Sequence, residues 1–342
     1  MHLETADRAA LLPPALERLL HRYLKPRLAL FDAGSLKLEL PSGRIIQHSG
    51  SKPGPAAIIT VKHWRMLGKL FLEGEIGLAR AYVDGDWSTP NLAAVLDFGL
   101  HNEATVTAAT RGISIAHSLN RLAHLRNTNT PRGSRRNIAA HYDLGNTFYR
   151  HWLDDDMTYS SAMFVDEADT LEVAQERKLN RIVDLMNVTG GESVLEIGSG
   201  WGSLVHRIAR AGAATVTGIS LSREQVAYAR AGIAGTPCDS RVEFELRDYR
   251  CISERYDRIV SIEMIEAVGE RYWPVYFDRL RQSLNNDGNA VLQIITIAED
   301  LFDSYRSRPD FIQQYIFPGG MLPTIEIVKR QAERAGLRLD HH

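Results

Sequence analysis

Between residues 171 and 186 apolar side chains recur every three to four positions, at Leu171, Ala174, Leu179, Ile182, Val183 and Met186, and this period predicts an amphipathic helix. Strand-length apolar runs follow at Ser193–Ile197, Thr215–Ile219, Val242–Leu246, Arg258–Ile262 and Ala290–Ile295. Helical stretches separate the first of them, one ending near Gly212 and one over Ser222–Ala231. Strands alternating with helices predict a doubly wound parallel sheet covered on both faces, hence an α/β domain from about residue 137 onward.

The first hundred residues have another rhythm. A helical opening, Leu11 to Leu24, leads to three short strand-like runs, Leu36–Leu40, Arg44–His48 and Ala57–Val61, separated by Pro- and Gly-bearing turns. A mixed stretch punctuated by Gly74, Gly77 and Gly85 completes a small N-terminal α+β domain over residues 1–100. Residues 101–136 read as a linker with a basic face, because six arginines and no acidic residue fall between Arg111 and Arg136. Such a segment is either a solvated connector or a contact for anionic lipid headgroups.

Composition narrows the class. With 342 residues and 44% hydrophobic content, the chain can bury two cores. Its 40 Lys+Arg against 42 Asp+Glu give no global attraction to nucleic acid, which is not expected as a partner. Two cysteines, Cys238 and Cys251, make no disulfide framework, and no zinc-ligand spacing or metal site is expected. The N-terminus lacks the pattern of a secretory signal, and no apolar run of 18 residues occurs, so the expected location is cytoplasmic.

The chemistry concentrates after the first strand of the α/β domain. In VLEIGSGWGSL, Val194 to Leu204, glycines at 198, 200 and 202 let backbone approach a ligand, and the helix that follows turns its N–H groups toward it. The spacing is not that of a dinucleotide turn, and Glu196 inside the strand suits a ligand with a positive amino-acid end. S-adenosylmethionine fits this best, with another nucleotide or a purely structural turn left open. Ser220, Ser222 and Gln225 follow the second strand, where a ribose would lie, although Ser222 and Gln225 also have capping-box spacing. Asp248 and Tyr249 follow the third strand, where an adenine could be bonded and stacked. Glu263, Glu266 and Glu270 follow the fourth at helical spacing.

Six segments occur in order: HYDLGNTFYRHWLDDDMTYSSAMF, VLEIGSGWGSL, VTGISLSREQ, RDY, IEMIEAVGERYW and YIFPGGMLP. Together they resemble the cyclopropane-fatty-acid synthase family and its mycolic-acid methyltransferase relatives, densely over residues 135–340 and loosely over 60–90. The resemblance implies a Rossmann-like methyltransferase sheet and transfer of a methyl or methylene group from S-adenosylmethionine to the double bond of a phospholipid acyl chain. It places the cofactor on Tyr159, Ser160, Val194–Gly202, Ser220, Gln225, Asp248 and Tyr249. The catalytic carboxylate falls on Glu266, pocket-lining rings on His141 and Tyr149, and the acyl path beside Tyr315 and Phe317. It further implies peripheral attachment to the inner membrane face, and a homodimer is a further expectation.

In the family a bound bicarbonate, held by a Cys, a Glu and a His, is the implied base. Here the cysteine position is Ser161, the histidine position is Gln293, and only Glu266 is retained. Proton removal is therefore expected to be arranged differently, with a branched product as an alternative to a cyclopropane. Glu263 matches no catalytic position of the family and is expected to tolerate substitution. The chain ends where relatives continue into a last strand, so a fragment is expected. The rival readings are a methyltransferase for another small molecule and a non-catalytic lipid-binding subunit. Cofactor binding together with turnover on phospholipid vesicles separates them.

Overall fold

The computed structural model describes residues 13–110, 129–142 and 144–340. The chain divides into two compact units, residues 1–122 and 123–342. In the first, the helix Pro14–Leu28 precedes strands β1 (Ala33–Glu39), β2 (Ile45–Ser49) and β3 (Lys52–Val61), and β4 (Trp87–Ser88) joins later. The sheet order is β2-β1-β3-β4, with β1 and β3 parallel and the other pairs antiparallel. Alternate residues Ala57, Ile59 and Val61 of β3 are buried, the period-two pattern of a strand with one covered face. The three strands expected from the sequence are all present, with β3 beginning five residues earlier than its apolar run because Lys52 and Ala56 still pair with β1.

The second unit carries five parallel strands: β5 (Ser193–Ile197), β6 (Thr215–Ser220), β7 (Val242–Leu246), β8 (Tyr256–Ile262) and β9 (Leu284–Gln293). Their order is β7-β6-β5-β8-β9, so the winding reverses between β5 and β8. Consecutive residues of β5 go to opposite faces. Val194 packs with Leu179, Ile182, Val205, Ile208 and Val226, and Leu195 with Ile259, Trp273, Phe277 and Leu280. Burial on both sides is why these strands read as unbroken apolar runs. The helix Leu171–Met186 has the expected bounds, and Thr170 caps it by accepting from the Val173 N–H.

Three expectations change. β9 stops at Gln293 rather than Ile295, because the Ile295 N–H donates to the Glu266 carboxylate instead of a ladder. Glu263, Glu266 and Glu270 do not share a helix face. The backbone is left-handed at Glu263 (φ 47°), and two short 3-10 turns, Ile265–Ala267 and Glu270–Tyr272, follow. The stretch read as a linker is structured at both ends. The helix Glu103–Thr110 belongs to the first unit, and residues 129–136 lead into the helix Pro131–Tyr142 of the second. Residues 111–128 between them, and the Arg132 side chain, lie outside the described residues.

Asn129 fastens that entry. Its Nδ2 donates to the carbonyls of Ala267 and Gly319, both at 2.9 Å, and its Oδ1 accepts from Asn137 at 2.8 Å. Its own carbonyl accepts from Arg250 at 2.9 Å. Asn129→Ala is expected to lower the unfolding free energy of the second unit by about 2 kcal/mol, the scale for stranding buried acceptors. Urea denaturation of the variant checks this.

Candidate active site

The second unit contains a cavity of about 630 Å³, lined at the carboxyl ends of β5, β6 and β8. Doubly wound sheets bind ligands at this edge, where the strand order reverses. Glu196, the fourth residue of β5, is 3% exposed and lines the cavity, and one of its carboxylate oxygens has no partner. Burial raises its pKa to about 8, although Lys178 and a backbone hydrogen bond from Val205 pull the other way. A buried carboxylate held in this way is a seat for a cationic group, since an ammonium would satisfy the free oxygen and restore the charge.

The glycine turn divides its work. Gly198, Gly200 and Gly202 all have positive φ, at 85°, 53° and 95°. A Cβ on Gly198 would meet the Met264 side chain, and one on Gly202 would meet Phe244 and Ala229. One on Gly200 would meet no protein atom within 4 Å, and Gly200 lines the cavity. Gly200 therefore leaves the cavity wall open at the turn, whereas Gly202 serves packing at the start of the helix Ser203–Arg210 and does not line the cavity.

Ser220 and Gln225 both line the cavity, and the Ser220 hydroxyl donates to Gln225 Oε1 at 2.8 Å. Ser222 caps its helix by accepting from the Gln225 N–H, as the capping-box spacing implies. Tyr249 lines the cavity with a buried hydroxyl that lacks a partner, and burial raises its pKa to about 12. Asp248 does not line it. Arg250 donates to both of its oxygens, at 2.8 and 2.6 Å, and the same arginine reaches Asn129 and Ser134. The expected adenine ligand is thus an internal tie between the third strand and the helix Pro131–Tyr142.

The remaining wall is aromatic and apolar. His141 meets the Tyr159 hydroxyl at 3.1 Å and the Phe317 ring at a centroid distance of 4.2 Å, and burial lowers its pKa, which favours the neutral imidazole. Tyr149 lies behind this wall, fully buried, and donates to the His141 carbonyl at 2.7 Å. It positions the histidine and does not line the cavity. Phe317 lines the cavity; Tyr315 does not, being 46% exposed and stacked on Phe311.

Ser161, Glu263 and Glu266 line the chamber together. Glu266 accepts from the Ile295 N–H through one oxygen, and its other oxygen is buried without a partner. Burial raises its pKa to about 7, helped by the neighbouring Glu263 charge. Ser161 and Gln293 come together, as the family pattern implies, but they meet on Glu263. Its Oε1 accepts from the Ser161 N–H at 2.9 Å, from the Ser161 hydroxyl, and from Gln293 Nε2 at 2.7 Å. Glu263, which matches no catalytic position of the family, thus ties those two positions together. Its left-handed backbone costs about 1 kcal/mol or more for a residue with a Cβ, and it persists because the surrounding bonds hold it.

Sequence reading also missed Lys178 and Gln175. Both lie on the buried side of the helix Leu171–Met186 and line the cavity. Lys178 donates to the Ser160 hydroxyl, and burial lowers its pKa to about 8. Gln175 donates to the carbonyls of Thr158 and Ser160 and so holds the Tyr159–Ser160 segment in place. The signal was available: two polar residues fall inside the apolar arc formed by Ala174, Leu179 and Ile182.

The sheet order, the open glycine and the unpaired buried carboxylate at the strand ends define an S-adenosylmethionine-dependent methyltransferase. The family model of mycolic acid cyclopropane synthetase matches residues 129–342, and the chain belongs to that family. It is 40% identical over 281 residues to the tuberculostearic acid methyltransferase of Mycobacterium tuberculosis, covering 78% of this chain and 64% of that protein. It is 34% identical over 313 residues to the cyclopropane-fatty-acyl-phospholipid synthase of Escherichia coli, covering 89% of this chain and 76% of that protein. The structure of the mycolic acid cyclopropane synthase CmaA1 complexed with SAH and CTAB superposes with a TM-score of 0.56 at 30% identity. That match covers 60% of this chain and 76% of the other.

Gly200→Val is expected to abolish S-adenosylmethionine binding in a protein that still folds but melts lower, because a β-branched residue is strained at a φ of 53°; calorimetry and a thermal melt would show both. A second expectation follows from Glu196. Its carboxyl is neutral in the folded state up to about pH 8 but ionises near 4.5 when unfolded. Between those values the unfolded state binds fewer protons, so this group makes the unliganded protein less stable as pH rises. Glu196→Gln should flatten that decline, measured as melting temperature from pH 5 to 8, and should weaken cofactor binding.

Proposed function

We propose that the chain transfers the methyl carbon of S-adenosylmethionine to the double bond of an unsaturated phospholipid acyl chain, giving a cyclopropane or a methyl- or methylene-branched chain. One observation carries this reading: a single cavity joins the polar seat of Glu196 and Gly200 to an apolar wall that includes Phe164, Leu171, Ile312 and Phe317. When bound, S-adenosylmethionine supplies an electrophilic methyl. Glu196, Gly200 and Tyr249 would hold it, and the apolar wall would hold the acyl chain at near-attack distance and exclude water. The rings of Tyr159 and Phe317 offer π faces to a developing carbocation. Glu266 supplies negative charge beside it.

Mass spectrometry of unsaturated phospholipid vesicles incubated with the protein and methyl-labelled S-adenosylmethionine tests the proposal; an unlabelled acyl fraction would end it. Glu266→Gln should leave cofactor affinity intact and lower turnover at least about 100-fold. Because the ionised form is the active one and its pKa lies near 7, parent turnover should rise with pH through that value.

Docking at the membrane surface is part of the proposal. Arg135 and Arg136 are exposed on the helix Pro131–Tyr142, at the end of the acid-free segment. Replacing both with Gln should weaken sedimentation with anionic vesicles, and salt should weaken it for the parent.

A further inference from the structure

Glu263 is held more tightly than a surface glutamate needs to be. Its backbone N–H donates to the Gln293 carbonyl at 2.8 Å, and its φ of 47° turns the chain at the end of β8. Three donors from Ser161 and Gln293 converge on Oε1, and none of the described bonds reaches Oε2. Gln293 also donates to the Ser161 hydroxyl at 3.0 Å, which closes the ring of contacts. One carboxylate oxygen is therefore clamped, and the other keeps its lone pairs in a group that lines the reaction chamber.

The surroundings suit a base. The N–H and O–H donors of Ser161 and the amide nitrogen of Gln293 are neutral, so the clamp itself carries no cation to quench the carboxylate charge. The charged neighbours are Glu266, which shares the chamber wall, and Lys178, whose positive charge the Glu263 carboxylate favours. Glu266 lacks a comparable clamp, since no described side-chain donor reaches it and only backbone N–H groups do.

We propose that the Glu263 carboxylate is the proton acceptor of the reaction and fills, as part of the chain, the place that a separate small anion would otherwise take between Ser161 and Gln293. This rests on the function proposed above. In the step, the alkene π pair forms the new C–C bond to the methyl carbon, and the C–S bond breaks with its pair left on sulfur. The positive charge falls on the other alkene carbon. Glu263 takes a proton from the transferred methyl group. The freed C–H pair closes onto the cationic carbon to give a cyclopropane. If a hydride has first shifted from the methyl-bearing carbon to its neighbour, the same pair forms a C=C bond to the methyl carbon and gives a methylene branch instead. Either product balances without a reductant.

The test uses the full chain with two variants, Glu263→Gln and Glu263→Gly, the second of which also suits the left-handed backbone. Both should bind S-adenosylmethionine as the parent does and melt within a few degrees of it. Glu263→Gln should lose at least about 100-fold in turnover. Carbon-labelled bicarbonate, followed by NMR in the presence of S-adenosylhomocysteine, should bind Glu263→Gly and not the parent. Added bicarbonate or formate should restore part of the turnover of Glu263→Gly and leave the parent rate unchanged. Full activity in Glu263→Gln, or a parent that binds bicarbonate and depends on it, would overturn the proposal. A parent inactive on every lipid would count against the proposed function, while the bicarbonate-binding arm would still decide whether the carboxylate fills the anion position.

Discussion

A carboxylate buried at the end of a central strand sets the terms for the rest of the second unit. Glu196 cannot shed its charge into water, and one of its oxygens is left unbonded by the protein. Desolvation of this kind is tolerated only when compensation is near, and the chain places Lys178 in the facing helix as partial relief. Lys178 is itself depressed by burial, so the pair is a strained electrostatic arrangement that a cationic ligand would complete. The surrounding apolar layers, with Val194 and Leu195 wholly buried on either face of β5, deepen that desolvation.

Around that seat, positioning is done by groups that never touch the cavity. Tyr149 anchors the His141 carbonyl, while Arg250 clamps Asp248 and ties it to Asn129 and Ser134. Trp201 donates to Asn146 at 2.7 Å and packs with Tyr149 and Met157, stiffening the loop that carries Tyr159 and Ser160. These contacts span 40 residues or more of chain in several cases, which makes the chamber a product of the folded unit and not of any one motif.

The two sides of the chamber follow different electrostatic rules. The cofactor side offers a buried carboxyl with an unpaired oxygen, whose ionisation a positive ligand would favour. On the proposed acyl side, rings and aliphatic side chains surround two carboxylates whose bonds differ, Glu263 clamped by donors from Ser161 and Gln293 and Glu266 reached by backbone N–H groups alone. Burial, with the Glu263 charge as a smaller contribution, raises the Glu266 pKa to about 7, so the two carboxylates of the chamber are held by different means.

Periodicity alone was enough to read the parallel sheet, the bounds of the helix Leu171–Met186, and the strands at 193–197 and 242–246, because burial on both faces leaves an apolar record in the sequence. The glycine turn, Glu196, Ser220, Gln225, Tyr249 and Glu266 were legible for a related reason: they stand at strand ends, where the sheet edge places them whatever the loops do. Asp248, Tyr149, Gly202 and Tyr315 were matched by motif but serve the scaffold or the surface, since a motif specifies position along the chain and not the direction of a side chain. What Lys178 and Glu263 bind became visible only in three dimensions. Their partners lie 18 residues away at Ser160, and 102 and 30 residues away at Ser161 and Gln293, and which side chains meet across such separations is decided by packing.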